Sequence, residues 1–347
     1  MIPYWIIFIL PSIFALKIRP CNVDVQKLGY YFFGIIAILL IGLRYEVGGD
    51  WIAYLRYVDI VEDITLIEAL SIDDPGYMLF NWISVKIGMG IGGVNILCGF
   101  VFVYGLISFC KNQPFPWLAI TIAVPYMLIV VSMGFSRQAV ALGIVFIALS
   151  YWKEDKFIKY SLIILLASLF HKSAVVMFLI GLFMNNKYIY TKIMIALPCL
   201  VVISLILVIN DRFDRQFNAY IVDKTYKSEG GLIRVLMNIV PSIIFLIYRD
   251  RFKVFVDYRL IKILSLSSFF CLFTVSILSM VTDRFALYLA PIQIIVLSRF
   301  PILLDNVYVR TLFVFVVICF YAIVLTIWLL FANHSEYWLP YKLIIFS

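Results

Sequence analysis

The chain has 347 residues, of which 64% are apolar and 14% charged, with a formal net charge of +8. Soluble domains run at about 45–50% apolar and about 25% charged. Soluble, disordered, fibrous and coiled-coil classes are therefore excluded, and an all-α, polytopic integral membrane protein remains. The basic residues are spread along the chain without a dense cluster, so no nucleic-acid partner is expected. The six cysteines show no Cys-x-x-Cys spacing and, apart from Cys21, lie in apolar runs, as small core residues do. His171 and His334 are the only histidines, which excludes a multi-histidine metal centre.

In chain order, the first apolar run (2–16) lacks a basic leader and a small-residue cleavage site, and reads as a spanning helix. Further spans are expected at 28–43, 92–110, 117–135, 138–152, 193–209, 232–248, 263–282, 285–298 and 311–332. The run 75–88 is short and ends in the Gly-rich stretch 88–93, so it reads as a half-helix or re-entrant piece. Two more short runs, 160–170 and 173–186, flank His171-Lys172. At about 1.5 Å per residue neither crosses a core of about 30 Å, so a hairpin of two short helices is preferred to one helix with His171-Lys172 at its centre. The expectation is a single transmembrane domain over 1–347 with 11 or 12 spans. If the polar loop 44–75 faces outward, inside loops hold 16 of the 28 Lys and Arg residues, and the second long loop, 210–231, also faces outward.

Five polar groups stand out against this background. Arg44 is followed by Gly48-Gly49-Asp50 and Tyr54; Gly48-Gly49 permits a tight turn, and Asp50, Tyr54 and Tyr57 share a face if a helix starts there. Asp73-Asp74-Pro75-Gly76-Tyr77 suits a helix start with Asp74 as cap and Pro75 in the first turn. Ser136-Arg137-Gln138 places an arginine after 25 uncharged residues and before 15 more. At that depth a charge costs about 2.5–3.5 kcal/mol on insertion scales. Phe170-His171-Lys172-Ser173 interrupts another apolar stretch, and Thr282-Asp283-Arg284 with Tyr288 sits between two expected spans. Each group also has an ordinary structural explanation: an aromatic belt, a cap, a snorkelling arginine, a core histidine or a surface ion pair. Together they supply cations for a pyrophosphate, candidate bases for a hydroxyl, and aromatic faces for sugar rings.

The order of these motifs resembles that of the bacterial exopolysaccharide and O-antigen polymerases of the EpsG/Wzy type. The residues that carry the resemblance are Arg44, Gly48-Gly49-Asp50 and Tyr54; Asp74-Pro75-Gly76-Tyr77; Ser136-Arg137-Gln138-Ala139; Phe170-His171-Lys172-Ser173; and Asp283-Arg284 with Tyr288. It runs from about residue 40 to 290, and departs where Asp74 replaces the commoner Glu before Pro-Gly. The resemblance implies a multi-pass glycosyltransferase of GT-C type in the bacterial inner membrane, independent of metal and cofactor. Its substrate would be an undecaprenyl-pyrophosphate-linked oligosaccharide. Its partners would be the lipid bilayer and a chain-length regulator and flippase of the same pathway.

On that reading Asp50, His171 and Arg137 are the catalytic candidates. Arg44, Tyr54, Asp74, Tyr77, Gln138, Lys172, Ser173, Asp283, Arg284 and Tyr288 are the substrate-binding candidates. Two other classes compete with this reading. A lipid-linked oligosaccharide flippase would be expected to show a two-half repeat, and none is visible. A membrane acyltransferase would want an acid near its histidine, and His171 has none within 15 residues on either side.

Overall fold

In hydrocarbon every backbone N–H and C=O must be satisfied internally, and this chain does so with helices. The computed structural model describes residues 1–17, 23–152, 156–183, 194 and 230–344. The helices of the first half are α1 (Ile2–Ala15), α2 (Val23–Gly42), α3 (Trp51–Val61), α4 (Leu66–Ile72), α5 (Pro75–Lys86), α6 (Gly90–Cys110), α7 (Pro116–Ala123), α8 (Ser132–Gly134) and α9 (Ser136–Ser150). A π-helical stretch, Val124–Val131, joins α7 to α8. Then come α10 (Phe157–Ser168), a 3-10 turn at Lys172–Val175, α11 (Val176–Leu182), α12 (Gly231–Ile247), α13 (Arg249–Phe252), α14 (Tyr258–Thr274), α15 (Ser279–Leu289), α16 (Pro291–Arg299) and α17 (Val307–Phe331). Two short strands, β1 (Arg44–Tyr45) and β2 (Lys342–Leu343), pair antiparallel with Arg44 opposite Leu343.

The protein is an all-α, multi-pass membrane protein. Among the described residues α2, α6, the Pro116–Gly134 stretch and α17 are long and apolar enough to cross a membrane, and α15 with α16 and the turn after it form a bent fifth candidate. The helices α1, α9, α10 and α12 are apolar but shorter. Most of the expected 193–209 span and nearly all of the 210–231 loop lie outside the described residues.

The chain gathers into two compact units. The first holds residues 1–150, 166–171 and 297–347. Its helices approach closely because glycines face each other. A Cβ on Gly105 of α6 would lie 2.0 Å from the Gly143 carbonyl oxygen of α9, and one on Gly143 would lie 2.6 Å from the Phe102 Cα. Small residues of this kind let membrane helices gain dispersion contacts where no hydrophobic force drives them together. The apolar π-helical stretch and α7 are buried against these helices, whereas α2 and α17 keep rows of large apolar side chains exposed, as lipid-facing helices do.

After α17 the chain folds back as a C-terminal strap. Trp338 is buried; its indole donates to the Ile129 carbonyl (3.1 Å), and its own carbonyl accepts from the Tyr4 hydroxyl (2.7 Å). The strap holds the loop after α2: Gly48 N–H donates to the Tyr337 carbonyl (2.8 Å), and Ile344 N–H to the Leu43 carbonyl (2.9 Å). Gly48 has φ of 111°, and a Cβ there would lie 2.2 Å from the Met133 carbonyl oxygen, so both conformation and space require glycine.

The second unit holds residues 151–165 and 172–296. Within it the ends of α10 and α11 run antiparallel. The Tyr160 hydroxyl donates to the Met177 carbonyl (2.8 Å), and a Cβ on Gly181 would meet the Tyr160 ring at 2.6 Å. Over the described residues 160–183 the hairpin expectation is therefore correct, and 184–186 lie outside them. One long helix is excluded because α10 closes on Ala167, whose carbonyl accepts from both Phe170 and His171.

The 263–282 span is a correction. The helix stops at Thr274, whose carbonyl accepts from Ile277 (3.1 Å) and Leu278 (2.8 Å), and a new helix begins at Ser279. Asp283-Arg284 consequently lies inside a helix and not between two spans. The apolar run did not show the break because it holds no glycine, proline or charged residue to mark it.

The α6–α9 contact yields a direct expectation. Gly143→Leu would place a side chain into the backbone of α6, costing at least the ~1–3 kcal/mol of ordinary overpacking. Fluorescence-detected size-exclusion chromatography should show loss of the monodisperse peak, whereas Ser150→Leu, at the far end of the same helix, should keep it.

Candidate functional site

The first unit brings four of the sequence-predicted groups together. The turn between α4 and α5 carries Asp73 and Asp74. Its geometry follows from the Thr65–Glu68 capping box that starts α4 and from Pro75, which opens α5. Asp74 occupies the expected cap position, but its side chain makes no cap hydrogen bond. Its Oδ2 lies 3.1 Å from Arg137 Nη1, and Asp73 Oδ2 lies 3.1 Å from the same nitrogen. Both carboxylates are nearly buried, and the arginine side chain is 25% exposed. The guanidinium is also flanked by the rings of Tyr57 (5.5 Å) and Tyr77 (5.9 Å), a cation–π arrangement. Tyr57 donates its hydroxyl to Asp73. Arg137 is thus no snorkelling residue, and it sits in a polar pocket of its own at the start of α9.

Arg44 is fully buried and ties this pocket to the loop before it. Its Nε donates to the Val47 carbonyl (3.1 Å), Nη1 to the Ile41 carbonyl, and Nη2 to Ser136 Oγ (2.8 Å). The first two bonds close the end of α2 and fold the Gly48-Gly49 turn; the third reaches the residue before Arg137. A fully buried guanidinium with these bonds positions other groups and offers no surface to a ligand.

Asp50 precedes α3 at the cap position, and the Tyr54 hydroxyl donates to it over 3.4 Å. Burial and then the Asp50 charge hold the Tyr54 phenol above its ordinary pKa, so it remains a donor. Tyr54 packs on Tyr77, ring centroids 5.4 Å apart, and both rings are buried. His171 closes the cluster: its Nε2 lies 3.3 Å from Gln138 Nε2, one residue past Arg137. The preceding turn is held on α5, where Gly76 N–H donates to the Leu169 carbonyl (2.9 Å) and Phe170 packs on Phe80. In this unit, then, Arg44, Asp50, Tyr54, Asp74, Tyr77, Arg137, Gln138 and His171 belong to one neighbourhood.

The second unit carries the remaining candidates. Ser173 Oγ donates to the Tyr288 hydroxyl over 3.2 Å, so the start of the 3-10 turn meets α15. Lys172 and Arg284 are half-buried. Asp283 is held by Arg234 of α12 through two parallel bonds, Nε to Oδ1 and Nη2 to Oδ2 (2.5 Å). Behind this pair, Asn238 donates to the Ala286 carbonyl (2.9 Å) and accepts from Gln293 (2.7 Å).

A family model described as the EpsG family matches residues 27–343, nearly the whole chain. The protein belongs to the EpsG family. Membership supports a polymerase-type role in polysaccharide biosynthesis. No curated protein and no solved structure matches the chain. The EpsG match extends past the motifs to Leu343, so it takes in the strap that holds the Arg44 loop.

Several residues of this EpsG-family protein escaped the sequence reading. Tyr57 and Asp73 were within the quoted motifs but not chosen, because their roles depend on each other and on Arg137 across 64 residues. Arg234 had a readable signal: it is the one charge between Gly231 and Tyr248. Trp338 had none, since a tryptophan beyond a last span is also what an interfacial belt contains.

The Arg137 cluster makes a stability prediction. Arg137→Ala leaves two nearly buried carboxylates side by side, at a cost between the ~1 kcal/mol of an exposed pair and the ~3–5 kcal/mol of a buried one. Adding Asp74→Asn should recover part of that loss, visible as a partial return of the melting temperature in detergent. Strict additivity would mean that the two side chains do not share one interaction.

Proposed function

We propose that this EpsG-family protein is a membrane glycosyltransferase that joins oligosaccharide repeat units carried on undecaprenyl pyrophosphate. The reaction is assigned to the periplasmic face of the bacterial inner membrane, the side to which charge bias assigns the 44–75 loop. The acceptor hydroxyl of one unit attacks the anomeric carbon of the other, the carbon–oxygen bond to pyrophosphate breaks, and the hydroxyl proton passes to a base. Lipid pyrophosphate leaves with the negative charge.

One observation carries the reading: the guanidinium of Arg137. Asp73 and Asp74 both engage Nη1, while Nε and Nη2 make no hydrogen bond to the described residues. That remaining edge, on a partly exposed side chain, has the planar fork that suits a phosphate. The aromatic and carboxylate partners hold the fork in place before the substrate arrives, which is the condition for stabilising charge that develops during bond breaking. In the second unit, Lys172 and Arg284 are proposed for further anionic contacts.

The ion pairs also narrow the choice of base. A carboxylate held on a guanidinium has little affinity for a proton, which argues against Asp74. Asp50 and His171 remain, and His171 is favoured because Gln138 fixes its ring next to Arg137. Arg44 and Tyr54 then act by position, and Tyr77 by supporting Arg137.

The test is the surface polysaccharide of a deletion strain, resolved on a gel. A single-repeat product that becomes a ladder when the gene is restored would support a polymerase. Absence of any repeat unit would favour a flippase, and full-length chains lacking a substituent would favour an acyltransferase. With the polymerase established, Arg137→Lys keeps a cation for the aspartates but removes the fork. It should lower polymer yield by roughly 10²–10³, as loss of one charge-stabilising donor does elsewhere. His171→Ala should lower it by roughly 10²–10⁴ at unchanged protein abundance. Long chains from both variants would overturn these assignments.

A further inference from the structure

The loop after α2 contains a backbone conformation that its residue type does not favour. Among the described residues, Glu46 is the only non-glycine residue with a positive φ (51°). Its surroundings impose that geometry. Arg44 Nε holds the Val47 carbonyl, the Tyr337 carbonyl holds Gly48 N–H, and Tyr45 pairs with Lys342 between the two short strands. Glycine or asparagine would adopt the same conformation more easily. Backbone strain of this kind persists where the structure around it over-determines it, and it concentrates at sites of function. The glutamate side chain therefore needs a reason to be there.

Its contacts within the protein do not supply one. Glu46 pairs with Lys342 through Oε2, and both side chains are 48% exposed. An ion pair that open to water contributes little to stability. Glu46 Oε1 and the Tyr45 hydroxyl make no hydrogen bond to the described residues, and Lys342 Nζ makes only the one to Glu46 out of three it can donate. Tyr45 is half-buried. Its ring meets the buried Trp51 at 70° with centroids 5.8 Å apart, an edge contact that covers at most one face of the ring. An accessible carboxylate, an ammonium and an aromatic ring thus stand together where the two strands pair. A sugar ring complements all three, with neighbouring hydroxyls that both donate and accept and with a face of C–H groups that packs on an aromatic ring.

We propose that Tyr45, Glu46 and Lys342 form a sugar-binding subsite for one unit of the oligosaccharide. Two neighbouring hydroxyls engage the Glu46–Lys342 pair, one donating to Oε1 and the other accepting from Nζ, and the Tyr45 ring packs on the apolar face of the sugar. The inference deepens the polymerase reading and rests on it for the class of substrate. The subsite belongs to the loop that also frames the Arg137 pocket. At its foot Arg44 bonds to Ser136, the residue before Arg137, and Gly48 lies against Met133. A sugar held on this loop is tied to the helix start that carries the proposed pyrophosphate contact.

Saturation-transfer NMR on the full-length protein in lipid nanodiscs tests the proposal, with polysaccharide released from the producing strain by mild acid as the probe. The unaltered protein should transfer saturation to the sugar protons. Glu46→Asn keeps a residue that tolerates positive φ and removes the carboxylate. Its melting temperature should hold or rise while the affinity falls by roughly tenfold or more. Lys342→Met keeps the apolar stem, removes the donor and should weaken binding as well. Should Glu46→Asn fail to fold, Lys342→Met decides. No transfer to the unaltered protein, or unchanged affinity in the variants, would overturn the subsite. The deletion-strain gel separates this result from the function itself. A restored ladder with unchanged binding in the variants removes only the subsite, whereas Glu46-dependent sugar binding without a restored ladder removes only the polymerase.

Discussion

The first unit is organised around one buried charge, the guanidinium of Arg44. Removing such a group from water is costly unless each donor finds an acceptor. The structure offsets the cost with three acceptors from three places: the last turn of α2, the Gly48-Gly49 loop and the first residue of α9. Because those acceptors must converge, the charge sets where the loop turns and where α9 begins. Gly48 can lie against Met133 only in the conformation that the turn imposes, and Arg137 follows directly on the serine that Arg44 holds. The C-terminal strap encloses the same loop from the other side, with Trp338 against Gly134.

A second constraint comes from the bilayer. Helices that cross it must pack through small residues or polar contacts, since lipid competes equally well for apolar side chains. Both solutions occur in this protein. Gly105 and Gly143 bring α6 and α9 together in the first unit, while the Arg234–Asp283 ion pair and the Asn238–Gln293 hydrogen bond provide polar contacts in the second. Polar groups in apolar helices therefore serve two purposes, cohesion and chemistry. Arg137 differs from Arg234 in this respect: the carboxylate of Asp283 takes up the Arg234 fork through both of its oxygens, whereas both aspartates at Arg137 crowd onto a single nitrogen.

The candidate site was legible in the sequence to the extent that each member is anomalous by itself. Arg137 and His171 stand out because charge or imidazole in an apolar run is expensive, Asp50 and Asp283 because their motifs lie at the ends of such runs, and the motif order tied them to a polysaccharide polymerase family. What each residue does there was not legible. Asp74 reads as a cap and is at the cap position, yet its carboxylate turns to Arg137. Arg44 reads as a substrate contact and is sealed in the interior. Tyr57 and Asp73 become members of the site only when α3, α4 and α9 are placed side by side.

Composition, run length and periodicity by themselves determined that the protein is helical and lies in a membrane, and the breaks at Gly88–Gly93 and His171 were readable as well. These are local properties, since hydropathy and backbone preference act within one segment. Only the tertiary structure decided that α10 and α11 run antiparallel against each other and that residues 337–344 complete the Arg44 loop. Each of those outcomes depends on a hydrogen bond, ion pair or ring contact between groups far apart in sequence. Such partners can be matched in more than one way until packing brings the segments within a few ångströms of each other.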